Sequence, residues 1–255
     1  MQISKVSDTY ITAFDPKEYL QECFSEPDDE YRFGIQFLLN TLHKLPPDLF
    51  VLEFGGGPAL HSVAALVPYA REIHFADYVP ANLAEVQQWL DNTPNAYNWQ
   101  PFIEIILEKE GITPTPQIIA EREAEMRRKV TRLIRCNALE PAPLGQNAAQ
   151  YDLVLAPYCT DVAASTVEEW GQVIKNITTL VKPGGWLLVG ITTGATLNTV
   201  GQQVFSCADL SDQDMIFGFV SAGYNPDTFY LEKTPVPSGR EYTGLTNAFA
   251  QKNTL

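Results

Sequence analysis

The chain has 255 residues, 45% of them hydrophobic and 19% charged, and this composition is typical of a globular protein with a sizeable buried core. Its formal net charge of −14 argues against nucleic acid and anionic membranes as partners, because their phosphates would be repelled. The four cysteines are too scattered for a zinc site, and neither a signal peptide nor an apolar run of about 20 residues is recognisable, so we expect a cytoplasmic protein with reduced thiols and no metal.

The predicted elements begin with two helices. The first spans 16–24, where Asp15 can cap the helix N-terminus. The second spans 30–44 and is ended by Pro46. An apolar strand over 49–54 follows and runs directly into a glycine-rich turn.

Helices and strands alternate over the rest of the chain. Helices are predicted over 59–69, 81–90, 116–128, 167–180 and 212–222. Strands are predicted over 73–77, 131–136, 151–156, 186–191, 228–233 and 245–251, with a short segment at 103–107 and a helix-ending turn at 182–185. This alternation predicts an α/β fold in one domain, 1–255: a doubly wound, mostly parallel, seven-stranded sheet with an antiparallel pair at one edge.

The glycine-rich turn carries the strongest chemical signal. Gly55 and Gly57 allow a tight turn and a close approach of the backbone to a ligand. A dinucleotide-binding G-x-G-x-x-G pattern would need a third glycine where Leu60 stands, and Pro58 lacks an N–H that would hold a pyrophosphate. Both departures disfavour an oxidoreductase. A phosphate-free ligand fits better, and S-adenosylmethionine is such a ligand.

Two acidic residues flank this turn. Glu53 ends the first strand and is placed to hold, through the backbone or through water, the cationic amino group of such a cofactor. Asp77 ends the second strand, where a carboxylate can accept hydrogen bonds from both ribose hydroxyls. Tyr78 can lie against the adenine, and Asn82 follows one turn later on the helix. Asp77 could instead only cap a turn, and Asn82 could face solvent.

Several motifs with shared spacing resemble the small-amine methyltransferases. These are the nicotinamide, phenylethanolamine and indolethylamine N-methyltransferases, with the thioether S-methyltransferase. The matching motifs are Leu52-Glu53-Phe54-Gly55-Gly56-Gly57-Pro58, Asp77-Tyr78 with Asn82, Ala96-Tyr97-Asn98-Trp99, Phe14-Asp15-Pro16-Lys17-Glu18-Tyr19-Leu20, Lys182-Pro183-Gly184-Gly185 and Ala222-Gly223-Tyr224. The resemblance implies a class I methyltransferase fold, with an N-terminal helical lid in 1–45 and a cofactor-binding core in 46–255.

The resemblance also implies a set of site residues. Together with Glu53, the expected residues around S-adenosylmethionine, whose product is S-adenosylhomocysteine (SAH), are Tyr10, Tyr19, Phe24, Gly55, Gly56, Gly57, His61, Asp77, Tyr78, Asn82, Asn137, Ala138, Pro157 and Tyr158. The expected substrate-binding residues are Tyr158, Asp161, Asn198 and Glu241. Asp161 and Tyr19 are the expected catalytic residues. A carboxylate such as Asp161 or Glu241 could orient an amine and take its proton directly or through water, and Tyr19 is expected to close over the cofactor and substrate.

Some positions depart from the family pattern. Phe24 stands in place of a lid tyrosine, and Asn137 in place of an aspartate that would bond the adenine amine. Ile191 replaces the acidic or polar substrate residue after the fifth strand, and Asn198 replaces a substrate-facing tyrosine. These changes argue against nicotinamide, and against phenylethanolamines bound in the usual way.

The sequence therefore predicts an N-methyltransferase for a small amine or guanidine-like compound, acting as a monomer. Methyl transfer to sulfur or oxygen on the same scaffold, or a non-catalytic cofactor-binding protein, remain alternatives. The acidic composition would suit a cationic or neutral substrate, or it serves solubility alone.

Overall fold

The computed structural model describes residues 11–200, 203–235 and 242–254. Helix α1 spans Pro16–Cys23, and the Asp15 side chain caps it by accepting the Lys17 N–H at 2.8 Å. Helix α2 spans Asp29–Leu42 and is capped in the same way by Asp28. The other helices are α3 His61–Leu66, α4 Pro80–Leu90, α5 Gln100–Lys109, α6 Pro116–Lys129, α7 Val167–Thr178 and α8 Asp212–Ser221.

The strands are β1 Leu49–Phe54, β2 Ala70–Asp77, β3 Val130–Arg135, β4 Tyr151–Pro157, β5 Val181–Thr193, β6 Leu197–Val200, β7 Gln203–Ser206, β8 Tyr230–Pro235 and β9 Gly244–Gln251. Seven of them form the central sheet, in the order β3-β2-β1-β4-β5-β9-β8, and β6 and β7 form a separate sheet. The first five strands of the sheet pair in parallel, and β9 pairs antiparallel with β5 and β8. The predicted fold class, including its antiparallel edge pair, is confirmed.

Apolar side chains cover both faces of the sheet. Along β1, Val51 packs into the cluster formed with α2, α3 and α5, whereas Leu52 and Phe54 pack into the cluster formed with α7 and α8. All three side chains are at most 2% exposed. A strand buried on both faces has a continuous apolar sequence, which is why β1 is easy to recognise.

The site lies at the carboxyl ends of the parallel strands. The strand order reverses between β1 and its neighbours β2 and β4, and the segments after these strands meet there. In open α/β sheets this switch point leaves a crevice for a ligand. Among the described residues, no helix combines the length and the apolar character that a membrane crossing requires. All four cysteines are free thiols.

Several local predictions were wrong. The helix predicted over 59–69 is limited to His61–Leu66. The short segment at 103–107, for which no element type was predicted, belongs to helix α5. The run 182–185 does not turn the chain but interrupts the register of β5, which passes from Tyr151↔Val181 to Leu153↔Trp186. Such an irregularity is a bulge, which glycine and proline favour in a strand.

The two-stranded sheet of β6 and β7 was not predicted. Leu197 pairs with Ser206 and Val200 pairs with Gln203 in an antiparallel register. Its strands have only four residues each, and the two apolar residues in each strand do not alternate with the polar ones, so they give no period of two.

Candidate functional site

The turn after β1 brings its backbone close to two neighbouring side chains. Gly55 and Gly57 have φ of 69° and 63°, in the left-handed region that favours glycine. A Cβ atom on Gly55 would lie 2.5 Å from the Sγ of Cys159, and one on Gly56 would lie 2.5 Å from the ring of Phe75. A side chain at any of the three positions would therefore clash or strain the backbone.

Glu53 holds a buried carboxyl group beneath this turn. The residue is 1% exposed, and its Oε1 accepts a hydrogen bond from the Oγ of Ser62 at 2.8 Å. Its Oε2 is buried without a hydrogen-bond partner among the described residues. Burial raises the pKa of Glu53 to about 8, so the group is mostly protonated at neutral pH. A cationic group beside Oε2 would favour the ionised form.

Asp77 ties the glycine turn to the next helix. Its Oδ2 accepts the N–H of Gly57 at 2.8 Å, while its Oδ1 accepts the N–H of Val79 at 2.8 Å and the Nδ2 of Asn82 at 2.9 Å. Burial raises the pKa of Asp77, and these hydrogen bonds oppose that rise. Asp77 and Asn82 therefore form one buried polar unit at the switch point.

Aromatic side chains from the N-terminal helices cover the turn. The rings of Phe14 and Tyr19 lie 5.2 Å apart, and the rings of Tyr19 and Phe24 lie 5.8 Å apart. Phe24 continues the series to His61, with ring centroids 5.0 Å apart. This packing forms a continuous aromatic layer from Phe14 to His61 at the carboxyl end of β1.

His61 begins α3 and faces this aromatic layer. Its Nδ1 is buried without a hydrogen-bond partner in the described part of the chain. Burial lowers the pKa of His61 to about 4, so its imidazole is neutral at physiological pH. A neutral imidazole can bind a ligand through a hydrogen bond without bringing a positive charge into the site.

Twelve of the predicted residues line one cavity of about 150 Å³. They are Tyr19, Phe24, Glu53, Gly55, Gly56, Gly57, His61, Asp77, Asn82, Pro157, Tyr158 and Asn198. Phe14, Ala59, Cys159 and Val162 also line it and were not predicted. Glu53 and Asp77 supply two buried carboxyl groups beside a backbone turn. This arrangement suits a ligand with hydroxyl groups and a cationic group.

The predicted adenine-side residues lie apart from this cavity. Tyr78 and Asn137 line a separate opening after β2 and β3, where the guanidinium of Arg135 lies 5.7 Å from the Tyr78 ring centroid. The Asn137 Oδ1 accepts the N–H of Leu139 at 3.0 Å. Ala138 is buried beside them. The structure thus places Tyr78, Asn137 and Ala138 together, where β2 and β3 end beside the switch point.

Tyr158 connects the first cavity with a second one of about 220 Å³. It has a φ of 53°, which is unusual for a residue other than glycine, and its N–H donates to the carbonyl of Gly190 at 2.8 Å. Its hydroxyl donates to the Oδ1 of Asn247 at 3.2 Å. Because both cavities also share Phe24 and His61, a molecule in the second cavity would lie next to a ligand in the first.

Asp161 is fully buried and lines neither cavity. Its Oδ2 accepts the N–H of Thr192 at 2.9 Å, which joins the segment after β4 to the end of β5. Burial raises the pKa of Asp161 to about 6. The predicted residues Tyr10 and Glu241 lie outside the described residues.

Several polar residues of the second cavity escaped the sequence analysis, among them Glu30, Tyr242 and Asn247. Tyr242 donates its hydroxyl to the Oε2 of Glu30 at 2.6 Å, and Asn247 contacts Tyr158. An acidic residue such as Glu30 in the first turn of a helix is usually explained by the helix dipole, so its sequence position gave no signal of a site. In the described ranges, no group of three or more His, Cys, Asp or Glu side chains could hold a metal ion.

Comparisons with known proteins identify the family of this chain. The sequence model of the NNMT/PNMT/TEMT family matches residues 2–253. Nicotinamide N-methyltransferase of Homo sapiens is 27% identical over 87% of this chain and 86% of its own length. Indolethylamine N-methyltransferase of Mus musculus is 31% identical over 77% of this chain and 76% of its own length.

A solved structure supports the fold. Magnesium protoporphyrin IX methyltransferase of Synechocystis PCC 6803, solved with bound SAH, superposes with a TM-score of 0.58 over 97% of this chain and 98% of that chain. The two sequences are 12% identical, so the likeness concerns the fold alone. With the family match over nearly the whole sequence, the conclusion is that this chain belongs to the NNMT/PNMT/TEMT family.

Proposed function

We propose that the chain transfers a methyl group from S-adenosylmethionine to a nitrogen of a small amine or guanidine-like compound and releases SAH. One observation carries the proposal: the glycine turn and the two buried carboxyl groups of Glu53 and Asp77 border one cavity. A phosphate-free nucleoside with a cationic tail has the complementary groups. The relatives named above are N-methyltransferases, which favours nitrogen as the accepting atom.

The proposed contacts follow from the atoms left available around the turn. The α-amino group of the cofactor would face the Oε2 of Glu53, and the ribose hydroxyls would face Asp77 and Asn82. The amino-acid tail would lie along Gly55–Gly57 beside His61, and the adenine would extend toward Tyr78, Asn137 and Ala138. Tyr19 and Phe24 would cover the cofactor and exclude water.

The bound cofactor supplies a methyl group that is already activated by the sulfonium. In the transfer, the sulfur–carbon bond breaks with its electron pair going to sulfur, and the nitrogen lone pair forms the new bond. The chain must hold a neutral nitrogen in line with that bond. Tyr158 lies where the two cavities meet, and alignment there can supply up to ~7–11 kcal/mol of the barrier reduction.

Asp161 stays the proposed proton acceptor; because it lines neither cavity, it would act on the amine through water rather than directly. The Asp161→Asn variant keeps the size of the side chain and removes its charge. We expect turnover to fall about tenfold or more while SAH affinity is retained. Because the pKa of Asp161 is about 6, its carboxylate form accumulates above that pH. The wild-type rate should therefore rise through about pH 6, and this rise should be missing in the variant.

The measurement for Asp161 is a pH profile of single-turnover rates with SAH affinity as the control. Asp152→Asn serves as a matched variant, because Asp152 lies at the opposite end of β4 and pairs with Lys182 at 2.6 Å. Unchanged turnover and an unchanged profile in Asp161→Asn would remove this residue from the mechanism.

Calorimetric titration with SAH tests the proposed function as a whole. We expect one site per chain with a micromolar dissociation constant, and no binding of nicotinamide adenine dinucleotide, whose pyrophosphate meets Pro58 instead of an N–H donor. A panel of small amines with a labelled methyl donor should then give labelled product. Failure of SAH to bind would overturn the proposal.

A cytoplasmic location, a monomeric state and the absence of nucleic-acid, membrane and metal partners stay predictions. The same holds for the division of the single domain 1–255 into a lid, 1–45, and a core, 46–255.

A further inference from the structure

The second cavity has an acidic wall. Glu22, Asp28 and Glu30 line it, and no Lys or Arg is among its described lining residues. Asp28 already serves as the N-cap of α2, where its carboxylate accepts the N–H of Tyr31 at 2.9 Å, and Glu22 is exposed. Glu30 is half-buried and faces the last loop of the chain. Glu30 is therefore the carboxylate best placed to act on a molecule inside the cavity.

A tyrosine from the far end of the chain orients this carboxylate. The Tyr242 hydroxyl donates to the Glu30 Oε2 at 2.6 Å, a short hydrogen bond of the charge-assisted kind. Glu30 also acts electrostatically on Tyr158, the residue at which the two cavities meet. Burial raises the pKa of Tyr158 to about 12, and the nearby carboxylates Asp161 and Glu30 add to that rise.

An unused hydrogen-bond donor marks the cavity as a place for a ligand. Asn247 is 3% exposed, and its Nδ2 is buried without a partner among the described residues, while its Oδ1 is occupied by Tyr158. A buried donor left without a partner costs about 1–3 kcal/mol, and a polar ligand atom would remove that cost. Between Asn247 and the acidic wall the lining is largely apolar and includes Phe37, Leu155 and Leu188.

The acidic wall constrains which nitrogen can accept the methyl group. A carboxylate raises the pKa of a nearby amine and keeps it protonated. A protonated amine has no lone pair for the transfer. A molecule with a single nitrogen beside Glu30 would therefore be held in an unreactive form.

We infer that the second cavity selects a compact acceptor with two unlike nitrogen-bearing ends. One end is a permanently protonated ammonium or amidinium held by Glu30 and Tyr242. The other end is a weakly basic, neutral nitrogen that meets the methyl group beside Tyr158. This inference rests on the proposed function, because it assumes that the methyl donor occupies the first cavity.

The test is calorimetric titration of SAH-saturated protein with two probes of nearly equal size, 4-(aminomethyl)pyridine and 4-(hydroxymethyl)pyridine. Both carry a weakly basic ring nitrogen, and they differ in an ammonium against a hydroxyl group. We expect the ammonium probe to bind about ten- to a hundredfold more tightly. Glu30→Gln should reduce the two affinities to near equality, and Tyr242→Phe should reduce the difference in part.

Asp29→Asn is the matched control. It removes one negative charge from the same helix turn at an exposed residue that does not line the cavity, so the preference for the ammonium probe should persist. Thermal unfolding with and without SAH establishes that each variant is folded. Equal binding of the two probes, failure of both to bind, or a preference that survives in Glu30→Gln would overturn the inference. In each of these outcomes SAH still binds, whereas loss of SAH binding in the wild type overturns the proposed function itself.

Discussion

Replacing Asp77 by Asn should weaken SAH binding about a hundredfold or more and also destabilise the ligand-free protein. The carboxylate accepts three hydrogen bonds, from Gly57, Val79 and Asn82. An amide offers one acceptor oxygen, and its NH₂ group would face at least one of these donors. A hydrogen bond to a buried charged group contributes about 1.5–3 kcal/mol, so we expect the free energy of unfolding to fall by about 2 kcal/mol.

Two measurements separate the effects of Asp77→Asn. Urea unfolding reports the stability of the ligand-free protein, and calorimetry at a temperature where the variant is fully folded reports SAH affinity. Asp91→Asn is a suitable control, since Asp91 is an exposed acidic residue at the opposite end of α4 and lines neither cavity. If Asp77→Asn kept wild-type affinity, the ribose contact assigned to Asp77 would be wrong, whatever happened to stability.

The double role of Asp77 shows how far the sequence reaches. Its position at the end of β2 and its distance from Gly57 along the chain were sufficient to place it at the switch point, because the ends of neighbouring parallel strands lie at the same edge of a sheet. The sequence left open whether it binds a ligand or caps a turn. The structure has it capping the turn through Val79 and holding the glycine loop through Gly57, while it still lines the cavity. Turn capping and ligand binding by Asp77 are therefore compatible.

The second cavity was less predictable because distant segments build it. Glu30 and Tyr242 are separated by 212 positions, and Asn247 lies on a strand that pairs with β5 only in the folded chain. No local pattern links these residues. Ile191, by contrast, could be recognised from the sequence as the loss of a polar contact, and it is fully buried in the apolar cluster. The family pattern thus indicated that a polar substrate contact is missing at Ile191. Only the fold shows that Glu30, Tyr242 and Asn247 bring polar groups to the second cavity.

Helix α5 was missed for a local reason. Its apolar residues Phe102, Ile103, Ile105, Ile106 and Leu107 are nearly continuous, and such a run is equally typical of a buried strand. Pro101 in the first turn is the signal that favours a helix. Gln100, Glu104 and Glu108 are exposed and lie four positions apart, so the helix has a polar face, but this face is narrow because the helix packs against α3 and α6.

Replacing Glu53 by Gln should have opposite effects on stability and on ligand binding. The buried carboxyl group has a pKa of about 8, above its ordinary value of 4.5, so the folded protein holds a proton that the unfolded chain loses. The free energy of unfolding therefore falls as the pH rises from about 4.5 to about 8, because the unfolded chain loses the Glu53 proton first. Above pH 8 this loss of stability is complete. Gln keeps the bond to Ser62 and removes this cost. The variant should be more stable than the wild type by a few kcal/mol at pH 9 and equal to it near pH 4.

The same substitution should lower SAH affinity about a hundredfold, because the cationic amino group of the ligand would lose its carboxylate partner. In the wild type that partner is mostly protonated at pH 7 before binding and ionised afterwards. Binding should therefore release close to one proton, which calorimetry in two buffers of different ionisation enthalpy detects. Glu53→Gln should abolish this release. A wild-type titration whose heat does not depend on the buffer would show that the ligand's cation does not meet Glu53, even if the affinity of the variant were reduced.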